Sequence, residues 1–189
     1  MEDREVIKMF EDSGAMLSGH FLLTSGRHSD RYLQCALVLQ HPDICGRLSK
    51  EIVAELGGKE ADVVIGPAMG GITLAYEVGR QLGCRAIFAE REEGKMTLRR
   101  GFSLKPGDRV LICEDVVTTG GSAKEVADMA KASGCDVVGI ACLVDRSGGK
   151  ADLGYPLYSV LQLEVASWPP EECPLCKQGS APYKPGSRK

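Results

Sequence analysis

Short apolar, β-branched runs alternate with helix-length stretches through the middle of this chain, and that alternation leaves few architectures open. Asp62-Val-Val-Ile65, Arg85-Ala-Ile-Phe-Ala89, Arg109-Val-Leu-Ile-Cys113 and Asp136-Val-Val-Gly-Ile-Ala-Cys-Leu-Val144 read as strands. Residues 71–82 and 122–133 carry helical spacing and close at Gly83 and Gly134. The pattern predicts an α/β fold, a central parallel sheet flanked by helices. Asp136–Val144 is apolar at nearly every position, as a strand covered on both faces must be. Pro156–Leu163 supplies a last strand, residues 42–56 a helix closing at Gly57-Gly58, and residues 2–14 another. Phe21 to Gln34 alternates apolar and polar residues around Ser25-Gly26, which predicts a short hairpin. The chain thus divides into a small N-terminal hood (1–40), an α/β core (41–168) and a tail (169–189) with a Cys-x-x-Cys pair. From Gln178 onward the tail is rich in Pro, Ser and Lys and is expected to be mobile.

At 189 residues the chain is long enough for a real core, and 43% hydrophobic with 26% charged residues is a globular balance. A net charge of −3 gives no reason to expect a nucleic-acid partner. No apolar stretch approaches the roughly 20 residues that span a bilayer, so no membrane partner is expected. Met1-Glu-Asp-Arg-Glu lacks the basic-then-apolar start of a secretory signal, and a cytoplasmic setting is expected. In that reducing setting most of the eight cysteines, such as Cys113, Cys135 and Cys142 in apolar runs, read as small buried hydrophobes.

In parallel sheets of this kind ligands bind at the carboxyl ends of the strands, so the loops after Ile65, Ala89, Cys113 and Val144 are the informative ones. After Cys113 come two adjacent carboxylates, Glu114 and Asp115, then Val116-Val117 and the turn Thr118-Thr119-Gly120-Gly121-Ser122, then a helix. Glycines let backbone N–H groups approach an anion, and a helix N-terminus presents unpaired donors with a favourable dipole. Three hydroxyls add further donors. The turn suits a phosphomonoester, and the carboxylates suit the hydroxyls of an attached sugar, with Mg²⁺ nearby if a diphosphate is present. A strand-to-helix turn capped by Ser or Thr needs no ligand at all, but the acidic pair beside Thr-Thr-Gly-Gly-Ser is far more specific than such a cap. The Gly-Lys-Ser/Thr ending of a Walker A loop and the Gly-x-Gly-x-x-Gly of a dinucleotide fold are both absent.

Val110 to Ser122 resembles the phosphoribosyl diphosphate signature of the type I phosphoribosyltransferases. Over roughly residues 14–165 the chain is similar to the orotate-using members of that family. Phe21-Leu-Leu-Thr-Ser-Gly-Arg-His-Ser29, Ile65-Gly-Pro-Ala-Met-Gly-Gly-Ile72 and Val144-Asp-Arg146 match three further family segments in order. The resemblance implies transfer of a phosphoribosyl group from 5-phosphoribosyl 1-diphosphate to orotate, with Mg²⁺ held mainly through the substrate diphosphate near Glu114 and Asp115. It implies that Glu114 and Asp115 hold the ribose hydroxyls and that Val116, Val117, Thr118, Thr119, Gly120, Gly121 and Ser122 cradle the 5′-phosphate. Thr118, Arg146, Tyr32 and Leu33 would meet orotate, and a planar guanidinium is well suited to its carboxylate. Loop 90–101 corresponds to the family's mobile catalytic loop, which reaches the neighbouring site of a homodimer. Its cations are candidates to stabilise the departing pyrophosphate: Lys95 and Arg99 foremost, then Arg91, with Arg100 as a phosphoribosyl diphosphate contact.

The chain departs from the familiar bacterial members in ways that resemble a shorter, Thermus-type branch. Thr24 and Met69-Gly70 stand where lysines are usual, and loop 90–101 has no histidine. Cationic duty would then fall to Arg27, Lys95 or Arg100. His20 and His28 flank the hairpin without an evident partner and read as surface or capping residues, although His28 could approach the base. Cys173-Pro-Leu-Cys176 has the spacing of half a zinc site, but no second close Cys or His pair exists. It reads first as two tail thiols or a redox-sensitive pair, and second as a zinc site shared across a dimer or completed by distant ligands. Two rivals to orotate transfer are a purine phosphoribosyltransferase, for which Arg146 would lack a carboxylate to bind, and a non-catalytic regulator, for which a basic face is missing.

Overall fold

β-Branched residues dominate the strands because a two-sided sheet buries both rows of side chains, and the two rows here feed two cores. The computed structural model describes residues 1–23 and 25–185. In chain order the elements are α1 (Asp3–Asp12), β1 (Met16–Leu22), β2 (His28–Leu33), α2 (Ala36–Leu39), α3 (Pro42–Glu55), β3 (Val63–Pro67), α4 (Gly70–Leu82) and β4 (Arg85–Glu92). There follow β5 (Lys95–Leu98), β6 (Arg109–Val117), α5 (Gly121–Ala132), β7 (Asp136–Asp145), β8 (Leu157–Gln162), β9 (Ser167–Trp168) and α6 (Pro174–Lys177). The main sheet has the order β5-β4-β3-β6-β7-β8 and is parallel except at its β5 edge. The predicted central parallel sheet flanked by helices is therefore present.

On one face Leu111 and Cys113 of β6 meet Leu48 and Ile52 of α3, Leu74 and Val78 of α4, and Phe10 of α1. On the other, Val110 and Ile112 pack with Val126 and Ala130 of α5 and with Met96 of β5. The alternation along β6 thus separates the two cores residue by residue. β6 runs on past Cys113 to Val117, paired with β7 as far as Asp145. The sequence reading ended that strand too early, because Glu114 and Asp115 look like loop residues.

Residues 90–101, read from their charge as an open loop, form a hairpin instead. β4 continues to Glu92 and pairs antiparallel with β5. Glu93 and Gly94 between them both adopt positive φ, 49° and 84°, the signature of a two-residue type I′ turn. Met96 points into the core and anchors the arm there.

The hood is a small sheet ordered β1-β2-β9, so its third strand comes from beyond the core. β1 carries one extra residue against β2 between Ser18 and Phe21, a bulge around Gly19-His20. The tail is laid across this hairpin, contrary to the mobile tail expected of its composition. Leu22 N–H donates to Tyr183 C=O and Tyr183 N–H to His20 C=O, both at 2.8 Å. Thr24, one of the positions that depart from the familiar family pattern, lies outside the described residues, as do residues 186–189. Among the described residues no helix is long and apolar enough to cross a membrane.

Phe10 is fully buried where α1 meets the core. Phe10→Ala is expected to lower unfolding free energy by about 3–5 kcal/mol, measured by equilibrium urea unfolding.

Candidate active site

At the carboxyl edge of the sheet, β6 ends in the turn Thr118–Gly120 and α5 begins at once with Gly121. Gly120 caps the helix with φ of +70°, and a Cβ there would lie 2.2 Å from Leu153 Cδ2, so both conformation and space call for glycine. The turn leaves the first N–H groups of α5 facing outward, where the helix dipole favours an anion. Around it lies a hollow of ≈ 390 Å³ lined by Glu114, Val116, Thr118 to Ala123, Arg91 and Glu125. Val117 does not face it: that side chain is buried in the α5 core, and its carbonyl accepts from Arg146 N–H at 2.8 Å.

Of the two adjacent carboxylates Glu114 lines this hollow and Asp115 does not. Burial, and then the adjacent Asp115 carboxylate, push the Glu114 pKa up to about 8. Asp115 Oδ1 accepts from Val116 N–H at 2.9 Å. Its other face abuts the start of α4 so closely that a Cβ on Gly70 would stand 2.5 Å from Oδ2. Glycine at position 70 therefore makes room for the acid.

Thr118 and Thr119 also border a second hollow of ≈ 690 Å³, lined by Tyr32, Leu33, Arg27, Arg146, Val165 and Ser167 among others. The two lobes thus adjoin at these threonines. Asp145, fully buried, accepts from Ser147 N–H at 2.8 Å and Gly149 N–H at 2.9 Å and so fixes the turn that presents Arg146. Burial lowers the pKa of the Arg146 guanidinium, and its Nε is buried with no hydrogen-bond partner. Among the described residues it has no carboxylate partner either. A half-buried cation in that condition needs an anion from outside.

A larger hollow of ≈ 780 Å³ lies at the opposite end of the strands, beside the Asp62–Arg109 ion pair. Its position at the amino ends removes it from the binding edge of such a sheet, so size does not select the site.

Of the arm's four cations, only Arg91 lines the phosphate lobe, 3.0 Å from Glu125. Arg99 pairs with Glu92 at 3.3 Å, and Arg100 pairs with Glu90 at 3.0 Å while lying over the Phe88 ring. Lys95 is exposed and has no ion-pair partner among the described residues. These three line neither lobe of their own chain. Sequence reasoning missed Leu23, Ser25, Val165 and Ser167, which line the base-side lobe from segments far apart in the chain. It also placed His20 and His28 at the surface, whereas both are buried and meet at 3.0 Å.

A glycine-rich turn at a helix start, an adjacent acidic pair and a guanidinium without a carboxylate partner among the described residues thus lie along one edge of a sheet with the phosphoribosyltransferase fold. The family described as phosphoribosyl transferase domain matches residues 37–174. Orotate phosphoribosyltransferase of Heliobacterium modesticaldum is 60% identical over the whole of both chains, and that of Pelotomaculum thermopropionicum 60% identical over 98% of this chain and 97% of its own. The crystal structure of orotate phosphoribosyltransferase from Aeropyrum pernix superposes with a TM-score of 0.69, at 28% identity over 84% of this chain and 94% of that one. The chain belongs to the orotate phosphoribosyltransferase family.

Because the folded pKa of Glu114 lies above its ordinary 4.5, its stabilising contribution is whole below pH 4.5 and is lost as pH rises through about 8. Glu114→Gln is therefore expected to melt higher than the unliganded wild type at pH 8 and to converge with it near pH 4.5. Paired melting curves across that range check the sign.

Proposed function

We propose that this chain transfers the phosphoribosyl group of 5-phosphoribosyl 1-diphosphate to orotate, releasing pyrophosphate and forming orotidine 5′-phosphate in cytoplasmic pyrimidine synthesis. The observation that carries this reading is Arg146, a half-buried guanidinium with no carboxylate partner among the described residues, in a lobe that adjoins the Thr118–Ser122 turn. Orotate is a base with a carboxylate, and a purine is not. The names of the relatives at 60% identity support the same assignment.

In this reading the 5′-phosphate sits on the Thr118–Ser122 N–H groups and hydroxyls, and the ribose hydroxyls donate to Glu114 and Asp115. Those donors favour the ionised acid, so sugar binding draws Glu114 back toward its ordinary range. Arg146 takes the orotate carboxylate in a two-pronged pair, Thr118 and Leu33 border the ring, and Tyr32, whose ring lies 5.8 Å from that of Phe21, closes the side. A ring nitrogen is thereby aimed at the anomeric carbon. The anomeric C–O bond breaks with its electron pair leaving on pyrophosphate, and the ring nitrogen, its proton released to solvent, supplies the electron pair of the new N–C bond.

The hard oxygen donors of Glu114 and Asp115 fit Mg²⁺, with most of the coordination coming from the diphosphate. An Mg²⁺ held by Glu114, Asp115 and the diphosphate would supply charge neutralisation at the leaving group. Arg91 is the arm's cation already beside the cradle. Lys95, Arg99 and Arg100, unlike Arg91, line neither lobe of their own chain, an arrangement suited to reaching the neighbouring site of a homodimer. Lys95, free of carboxylate partners, can engage the departing polyanion without breaking an ion pair.

Purified protein with Mg²⁺ and phosphoribosyl diphosphate should consume orotate, followed by its ultraviolet absorbance, and no purine base; turnover of a purine alone would sink the reading. Arg146→Ala should lower kcat/KM for orotate by about 100-fold while moving the KM for phosphoribosyl diphosphate less than about threefold, since a charged pair at a buried site is worth roughly 2–3 kcal/mol. Lys95→Ala should lower kcat at least about tenfold with little change in orotate affinity; an unchanged kcat moves the role to Arg99 or Arg91.

A further inference from the structure

The bulge in β1 turns His20 toward His28 on β2, and the tail brings Cys173 and Cys176 onto the same pair. His20 Nε2 lies 3.0 Å from His28 Nδ1, 3.4 Å from Cys173 Sγ and 3.7 Å from Cys176 Sγ, while Cys176 Sγ lies 3.3 Å from His28 Nδ1. All four ligand atoms fall within 4.8 Å of one another. Cys173 is fully buried, His20 and His28 nearly so, and both cysteines are free thiols.

A hydrogen-bond network does not account for this geometry. An imidazole nitrogen has one in-plane site, a proton or a lone pair, yet His20 Nε2 faces three partners at once. A tetrahedral ion does account for it. With Zn–S about 2.3 Å and Zn–N about 2.0–2.1 Å, the edges of the tetrahedron are about 3.3 Å between nitrogens and about 3.5 Å between nitrogen and sulfur. The four separations given above, 3.0 to 3.7 Å, lie within a few tenths of an ångström of those values.

We propose that His20 Nε2, His28 Nδ1, Cys173 Sγ and Cys176 Sγ form a structural zinc site that clamps the tail to the hood. Two thiolates, two neutral imidazoles and Zn²⁺ sum to zero charge, which suits a buried position. Binding releases the two thiol protons to solvent, and no oxidant is involved. Four protein ligands close the site, so its role is structural rather than catalytic. The clamp joins the β1–β2 hairpin, which carries Tyr32 and Leu33, to the chain running on from Val165 and Ser167. Those are the segments that wall the base-side lobe.

Untagged protein, purified without chelator from zinc-containing medium, should hold one zinc per chain by elemental analysis. Cys176→Ser, a half-exposed position, should lower that content at least about tenfold while the protein still folds. Cobalt(II) in place of zinc should give the intense visible bands and thiolate charge transfer of a tetrahedral sulfur-ligated ion, absent from Cys176→Ser. Stripping the metal should speed tryptic cleavage after Lys177 about tenfold or more, as the tail is released. Metal-free protein with two free thiols, a Cys173–Cys176 disulfide in the purified protein, or zinc retained undiminished in Cys176→Ser would each overturn the proposal. If that variant does not fold, the zinc content and cobalt spectrum of the wild type decide alone.

Discussion

Everything at the active edge depends on β6 being held from both sides. Its Val110, Leu111, Ile112 and Cys113 are fully buried, shared alternately between the α3–α4 core and the α5 core. A strand fixed that firmly can carry two carboxylates past the end of the core and still deliver them at a defined place. Burial there, with Asp115 adjacent, raises the Glu114 pKa, and the Thr118–Ser122 turn follows without slack. The packing of a few apolar residues is thus what turns Glu114 to Ser122 from a polar loop into a site.

The base side is built differently. No single strand supplies it; Tyr32 and Leu33 come from the hood, Arg146 from the end of β7, and Val165 and Ser167 from the chain beyond β8. Ser167 pairs with Ser29 across β2–β9, and Arg27 Nε donates to Ser167 Oγ at 3.0 Å, so the chain beyond β8 is tied to the hood as its third strand. Such a lobe is only as rigid as the joints between its segments. The Cys–His cluster lies at one such joint, behind the hairpin and at the root of the tail.

Legibility in the sequence followed range. The turn Thr118–Ser122 and its acidic pair are contiguous, and so could be read with their chemistry. The central strands and helices could be read because period-2 and 3.6-residue patterns are local. The β4–β5 arm was missed because Glu93-Gly94 is buried in a run of charges, although a Gly-containing two-residue turn between alternating residues is its signal. The mobile tail was a misreading of composition: Pro and Ser do not forbid docking when another surface offers hydrogen-bonding edges, as β1 does to Tyr183.

His20 and Cys173 are 153 positions apart, and no local pattern links them. By itself the sequence determined the class: a two-sided sheet with a phosphate turn and two carboxylates, because hydrophobic periodicity and a contiguous motif are properties of neighbours along the chain. It also singled out Arg146, through its place after a core strand. The tertiary structure alone decided that Arg146 lacks a carboxylate partner among the described residues, that Arg91 rather than Lys95 stands beside the Thr118–Ser122 turn of its own chain, and that two histidines and two cysteines meet. Each of these is a relation between residues distant in sequence, set by which surfaces the folded sheet brings into contact and leaves without water.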